Sequence, residues 1–160
     1  MTQPPSSSCL VCAQESATDE DVVFADPLWA ASVFPGYEVP GWVVLRLRSH
    51  VVALNGLSPR EAMAFGEYSR RLSLVMERAL GAERTYVMVF GEAHAHFHAL
   101  ITPRTPEVAA PVRSANILSL RPSAIDVARA RGVAAQLRDT YVALFGGSPL
   151  SGSVAGAPTR

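Results

Sequence analysis

His94-Ala95-His96-Phe97-His98-Ala99-Leu100 places three of the chain's four histidines within five residues. On a strand, alternate side chains share a face. The three imidazoles are therefore expected to stand in one row, about 6–7 Å between neighbours, with Ala95, Phe97 and Ala99 turned toward packing. Chance gives such a row in well under about 1% of chains of this size, so it is read as a site and not as an accidental polar face. A neutral imidazole is a nucleophile at physiological pH, and a neighbouring imidazole can orient it or move a proton. Attack on phosphorus would leave a phosphoramidate-linked histidine, later released by water or another acceptor. Three ligands to one metal ion is the alternative, but adjacent positions on one flat strand converge poorly on a single ion. The reading requires residues 94–98 to be extended, with their rings projecting together into an open cleft.

Working outward, Tyr86-Val87-Met88-Val89-Phe90 reads as a strand, joined by a glycine-containing turn to a second strand from His94 to Thr102 that Pro103 and Pro106 end. Upstream, Ser58-Pro59-Arg60-Glu61 is a helix start, with a capping serine, a proline at the first helical position and a glutamate completing a capping box. Ala62, Phe65, Leu72, Val75, Met76 and Ala79 form its apolar stripe and Gly81 its stop. Val22 to Ala25, Trp29 to Phe34 and Trp42 to Leu47 read as three further strands, separated by Asp26-Pro27 and by Pro35-Gly36 and Pro40-Gly41. After an irregular stretch over 105–122, from which Ile117 and Leu118 are expected to tuck into the core, a second helix is expected from Ser123 to Gly146-Gly147. Strands in series joined by short turns favour an antiparallel sheet with helices on one side, an α+β fold.

The chain has 160 residues, 49% of them hydrophobic, and a formal net charge of zero. That suits one domain over residues 1–147, with a flexible polar arm at 1–8 and a disordered tail at 148–160. No global field draws it to a nucleic-acid polymer or an anionic membrane. All 14 basic residues are arginine. A Schiff-base or P-loop lysine is therefore excluded, and phosphate must be held by arginine, histidine, hydroxyls or backbone N–H groups. Residues 1–8 carry no basic start or apolar signal core, and no apolar run approaches the ~20 residues that span a bilayer. A cytoplasmic protein is expected, in which Cys9 and Cys12 are not a structural disulfide.

The row His94-Ala95-His96-Phe97-His98-Ala99-Leu100 resembles the motif of the histidine-triad (HIT) superfamily. The resemblance runs from about Cys9 to Arg104. It takes in Cys9-Leu10-Val11-Cys12, the segment from Gly41 to Val51, the capped helix at Ser58 and Pro103-Arg104. It is similar to the bacterial branch described as diadenosine-tetraphosphate-hydrolase-like. The resemblance implies a five-stranded antiparallel sheet with one long helix (here followed by the second, C-terminal one), a homodimer joined across helix and strand, and hydrolysis or transfer of nucleoside monophosphates. It implies His96 as nucleophile and His98 as its hydrogen-bonding neighbour. In zinc-bearing members a cysteine pair, a histidine after the basic strand end and the first triad histidine bind a structural ion. Cys9, Cys12, His50 and His94 occupy those places.

The chain departs from the family pattern at three points. Trp42 follows Gly41 where many members carry a histidine; it is read as a wall of a base pocket or as core. Phe90-Gly91-Glu92-Ala93 replaces the usual Asn, Gln and Ser or Thr phosphate loop. Backbone N–H groups at Gly91, or Arg104, would then hold the phosphate, with Glu92 repelling it or acting as a base. Finally, alignment on Pro103-Arg104 gives a second register, with His96 the zinc ligand, His98 the nucleophile and Leu100 in third place. The literal triad is preferred as the rarer coincidence.

Overall fold

Hydrophobic alternation and turn chemistry build the sheet in chain order. In the computed structural model, which describes residues 9–146, β1 (Val22–Ala25) and β2 (Trp29–Ser32) form a hairpin over Asp26-Pro27. The Asp26 carboxylate closes it by accepting from the N–H groups of Leu28 and Trp29. β3 (Val43–Leu47), β4 (Arg84–Met88) and β5 (His98–Arg104) complete a five-stranded antiparallel sheet of order β1-β2-β3-β5-β4. The expected arm at 1–8 and tail at 148–160 lie outside the described residues.

Between β3 and β4 runs α2 (Pro59–Leu80), preceded near the N-terminus by the single-turn α1 (Leu10–Ala13). The Ser58–Glu61 capping box is formed in both directions, and Gly81 ends the helix at φ +67° with its N–H on the Glu77 carbonyl. Of the expected stripe, Leu72, Val75 and Met76 are buried, and Phe65 and Ala79 pack against the core. Ala62 is exposed; Ala64 and Tyr68 face inward instead.

The second helix is in two pieces, α3 (Arg121–Ala124) and α4 (Val127–Phe145). Its cap is Asp126, whose carboxylate accepts from Arg129 N–H, and not the expected Ser123. The 105–122 stretch coils through a 3₁₀ turn at 110–112 and a longer 3₁₀ segment at 114–120, with Ile117 fully buried.

The sheet's two faces do different work. Val43, Leu45 and Leu47 of β3 and Ala99 and Ile101 of β5 meet α2 and α4 in the main core. Val44 and Leu100 point the other way, into a second cluster with Val11, Phe34, Val39, Trp42 and Ile117. Period-2 alternation puts His98, opposite Arg46 in the β3–β5 register, on this second face.

β2 ends at Ser32 and β3 begins at Val43, slightly inside their expected bounds, and two strands differ from expectation at both ends. β4 begins at Arg84 and ends at Met88, two residues earlier at each end than the pattern suggested. β5 begins only at His98 and runs through Pro103 to Arg104. Pairing with β3 ends at Val43↔Ile101, so Pro103 has a partner strand on one side alone and its missing N–H breaks no ladder there.

Candidate functional site

The turn of α1 brings its two cysteines to one side. Cys9 caps the helix, its sulfur accepting from Cys12 N–H at 3.5 Å, and three-residue spacing stacks the thiols. The turn lies against the far end of β3 and the start of β5. Cys12 Sγ is 3.3 Å from His50 Nδ1 and 3.4 Å from His96 Nδ1, and Cys9 Sγ is 3.6 Å from the same His96 nitrogen. Metal–ligand lengths of about 2.3 Å to sulfur and 2.0–2.1 Å to nitrogen in a tetrahedron put sulfur and nitrogen about 3.6 Å apart. The ligand atoms of Cys9, Cys12, His50 and His96 all lie within 4.8 Å of one another, so these four residues could hold a metal ion.

His96 is fully buried and both its ring nitrogens are engaged. A carbonyl only accepts, so Nε2–H donates to Leu47 O at 2.7 Å and Nδ1 is left bare toward the thiols. Burial pushes the imidazole down to about 4; the Leu47 hydrogen bond opposes this, while His50, Arg46 and His98 reinforce it. The ring is thus neutral at physiological pH, as a ligand must be. The structure brings His96, and not the expected His94, into the cluster with Cys9, Cys12 and His50, and it leaves His96, the expected nucleophile, fully buried. His94 lies outside the cluster, against the Phe34 ring at 5.8 Å, and His96 has no nitrogen free for a substrate.

The reason is local. Residues 92–96 are a run of bends, not a strand. β3 ends at Leu47 and turns away to present His50, so the chain before His98 has no partner strand to extend against. Phe97 N–H instead donates to Val51 O at 2.5 Å, and its ring is buried between Trp29 and Phe65, with centroids 5.9 and 5.3 Å away. The three rings therefore do not form one row. His96 turns inward, while His94 and His98, with centroids 6.0 Å apart, share a different pocket.

That pocket is a cavity of about 110 Å³ on the second sheet face. Phe34, Tyr37, Val44, Met88, Leu100 and Leu118 make its apolar walls. Residues 90–94 and the half-buried His98 close it. His98 Nδ1–H donates to His96 O at 2.6 Å, which fixes the ring and, in its neutral form, puts the lone pair on Nε2. One backbone carbonyl thus ties His98, at the pocket, to the buried His96. Such an arrangement can present an oriented imidazole to an electrophile.

Gly91, at φ +74°, and Glu92 line this pocket as expected. Trp42 does not: it is 3% exposed in the second cluster, behind the pocket wall. Arg104 is also displaced from the expected phosphate site. It sits at the opposite end of β5 from His98, buried and ion-paired to Glu83.

Sequence reasoning missed the Glu15 clamp. Glu15 bridges Arg46 (2.5 Å) and Arg48 (2.8 Å), and Arg46 also donates to Gln14 O. This fastens the cysteine-bearing turn to β3. The alternation Arg46-Leu47-Arg48 was the only available signal, since Glu15 is 31 residues from its first partner.

No protein-family model and no curated protein matches the chain. Solved structures do. A zinc-bound histidine triad family protein of Mycobacterium smegmatis aligns with a TM-score of 0.67 at 18% identity, over 86% of this chain and 95% of that one. A hypothetical histidine triad nucleotide-binding protein of Sulfolobus tokodaii gives 0.67 at 14%, over 86% and 97%. A diadenosine triphosphate hydrolase of Plasmodium falciparum gives 0.60 at 14%, over 81% of each chain. The fold of this chain is therefore that of the histidine-triad proteins.

Proposed function

We propose that this protein is a nucleotide hydrolase or nucleotidyltransferase in which His98 is the nucleophile, on a scaffold cross-linked by zinc at Cys9, Cys12, His50 and His96. The observation that carries this reading is the His98 Nδ1–His96 O hydrogen bond of 2.6 Å beside an open pocket. It orients the ring and, in the neutral form, puts the lone pair on Nε2, without any need for a third histidine to select the tautomer.

His98 Nε2 attacks the phosphorus of a nucleoside phosphate. The bond to the leaving group breaks as the phosphorus–nitrogen bond forms, and the leaving group takes a proton from solvent. Water, or an alcohol in a transferase, then attacks the same phosphorus, gives up its proton and releases neutral His98. Backbone N–H groups of the loop at Gly91 to Ala93 are the donors for the developing charge. Zinc supplies structure only, because four protein ligands leave no position open for substrate. A cytoplasmic setting, where both thiols stay reduced, goes with this reading. Among the described residues no helix is long and apolar enough to cross a membrane.

A homodimer fits the same reading. β4 pairs only with β5, so its outer edge has no strand neighbour among the described residues, and Val87 on β4 and Met63 on α2 are exposed. Sedimentation at micromolar concentration should give twice the 17.1 kDa chain mass, and a monomer there rejects the dimer.

A second reading, a nucleotide-binding protein without turnover, draws support from Leu100 in the third triad place and from the absence of any arginine in the pocket lining. Phosphorus NMR over a panel of nucleoside phosphates decides between the two. Product release by the wild type, lost in His98→Ala while nucleotide still raises Tm in both, supports catalysis. Equal turnover in wild type and His98→Ala rejects His98 as nucleophile.

A further inference from the structure

We infer that His94 is a second substrate-contacting imidazole of this pocket, donating a hydrogen bond to a nonbridging oxygen of the phosphoryl group that His98 attacks. This rests on the reading of His98 given above. It deepens that reading by assigning the side chain that joins the loop N–H groups in meeting the developing charge.

The pair is set by its own short segment. His96 N–H donates to His94 O at 2.8 Å, closing a tight turn, and His98 Nδ1–H donates to His96 O at 2.6 Å. With the chain bent in this way, His94 and His98 line one cavity while the ring between them in sequence goes to the thiols. The His94 ring packs on Phe34 and His98, with centroids 5.8 and 6.0 Å away. Of the four histidines it alone has ring nitrogens that bond no group among the described residues. A neutral imidazole still carries one N–H, and this one is available to whatever occupies the pocket.

The rest of the lining offers little else to an anion. It contains no arginine, and the chain has no lysine. An ionised Glu92 only accepts, and the ring of Tyr37 meets Phe34 at 6.3 Å and Arg121 at 4.1 Å but not His98. Two imidazoles 6.0 Å apart leave room for one phosphoryl group. Its oxygen can take an N–H at about 2.7–3.2 Å while its phosphorus stands about 3–3.5 Å from the attacking nitrogen. As His98 Nε2 bonds to phosphorus, the bond to the leaving group breaks and that group takes a proton from solvent. Negative charge gathers on the nonbridging oxygens. His94 keeps its proton throughout and stabilises that charge by donation alone, beside apolar walls that strengthen the bond.

Two substitutions separate this role from that of a wall. His94→Phe keeps an aromatic ring against Phe34 and removes the donor, whereas His94→Asn removes the ring and keeps an amide N–H. Kinetics are read on the member of the nucleoside phosphate panel that the wild type cleaves fastest. His94→Phe should lose at least about tenfold in kcat/KM, most of it in kcat, and His94→Asn should stay within about threefold of the wild type. Full activity in His94→Phe, or equal losses in the two variants, overturns this inference while leaving His98 catalysis standing. Absence of turnover on every substrate overturns the catalytic reading instead, and calorimetry with a nucleoside monophosphate then decides the role of His94. His94→Phe should bind it at least about threefold more weakly than the wild type, with His94→Asn close to wild type. Equal affinities in wild type and His94→Phe reject the inference.

Discussion

His96→Ala set beside His94→Ala tests the assignment on which the site is built. In the structure His96 is fully buried, donates to Leu47 O at 2.7 Å and faces two thiols. Truncating it removes one of the four proposed metal ligands, withdraws the hydrogen bond at Leu47 O and leaves a hole the size of an imidazole. A buried acceptor that loses its partner costs about 1–3 kcal/mol, and large-to-small changes in a packed interior cost about 2–5 kcal/mol. Allowing for overlap, the metal-free variant should be about 3 kcal/mol less stable than metal-free wild type, or roughly 6–12 °C in Tm for a chain of this size. Metal widens the difference, since a ligand at 100-fold its Kd adds about 2.7 kcal/mol to the form that binds it. His94 is only half-buried and its contacts are rings, Phe34 at 5.8 Å and His98 at 6.0 Å, so His94→Ala should cost within about 1 kcal/mol and keep its metal. Elemental analysis of protein purified without chelators, with thermal unfolding before and after chelation, reads both quantities. Zinc retained by His96→Ala, or lost by His94→Ala, would refute the reasoning.

Other changes probe the supports of the site. Glu15→Ala leaves the buried Arg46 guanidinium without its carboxylate; because Glu15 is itself 36% exposed, the loss should be about 2 kcal/mol and not the full cost of breaking a buried pair, with zinc release to a chelator accelerated. Unchanged release kinetics would dissociate the clamp from the cysteine turn. Gly41→Ala should destabilise by about 1–3 kcal/mol, because Gly41 sits at φ +88° and an added Cβ would meet Pro103 Cγ at 2.9 Å and Leu80 Cδ1 at 3.1 Å; denaturant unfolding with an unaltered midpoint counts against it. Burial pushes the Glu61 carboxyl up, but hydrogen bonds from the Ser58 backbone and side chain and from Ser49 prevail and hold it below the ordinary 4.5. A depressed carboxyl contributes stability above its unfolded value and loses it as pH falls toward the folded one. The Tm gap between wild type and Glu61→Gln should therefore be full at pH 7 and shrink below about pH 4.5, and a gap that stays constant into acid would contradict the capping account.

The sequence alone was enough for features whose partners lie close along the chain. The Ser58–Glu61 box, Pro59, Gly81 and the Asp26 hairpin are local hydrogen-bonding devices, each spanning a few residues. The family resemblance, resting on motifs spread from Cys9 to Arg104, carried the sheet and three of the four members of the cysteine–histidine cluster.

Only tertiary structure decided which histidine completes that cluster. Three alternating histidines read alike in a one-dimensional pattern, and strand periodicity assumes a neighbouring strand that the segment before His98 lacks. Without it, the depth of Phe97 between Trp29 and Phe65 and the two hydrogen bonds to Leu47 and Val51 fix the rotation of the chain. They turn His96 to the thiols and leave His98 to the pocket. The same holds for Trp42 and Arg104, whose residue types suit a nucleotide site but whose places, behind a wall and at the far end of β5, follow from packing between distant segments. Side-chain chemistry is written in the sequence, but the direction a side chain faces depends on contacts made across it.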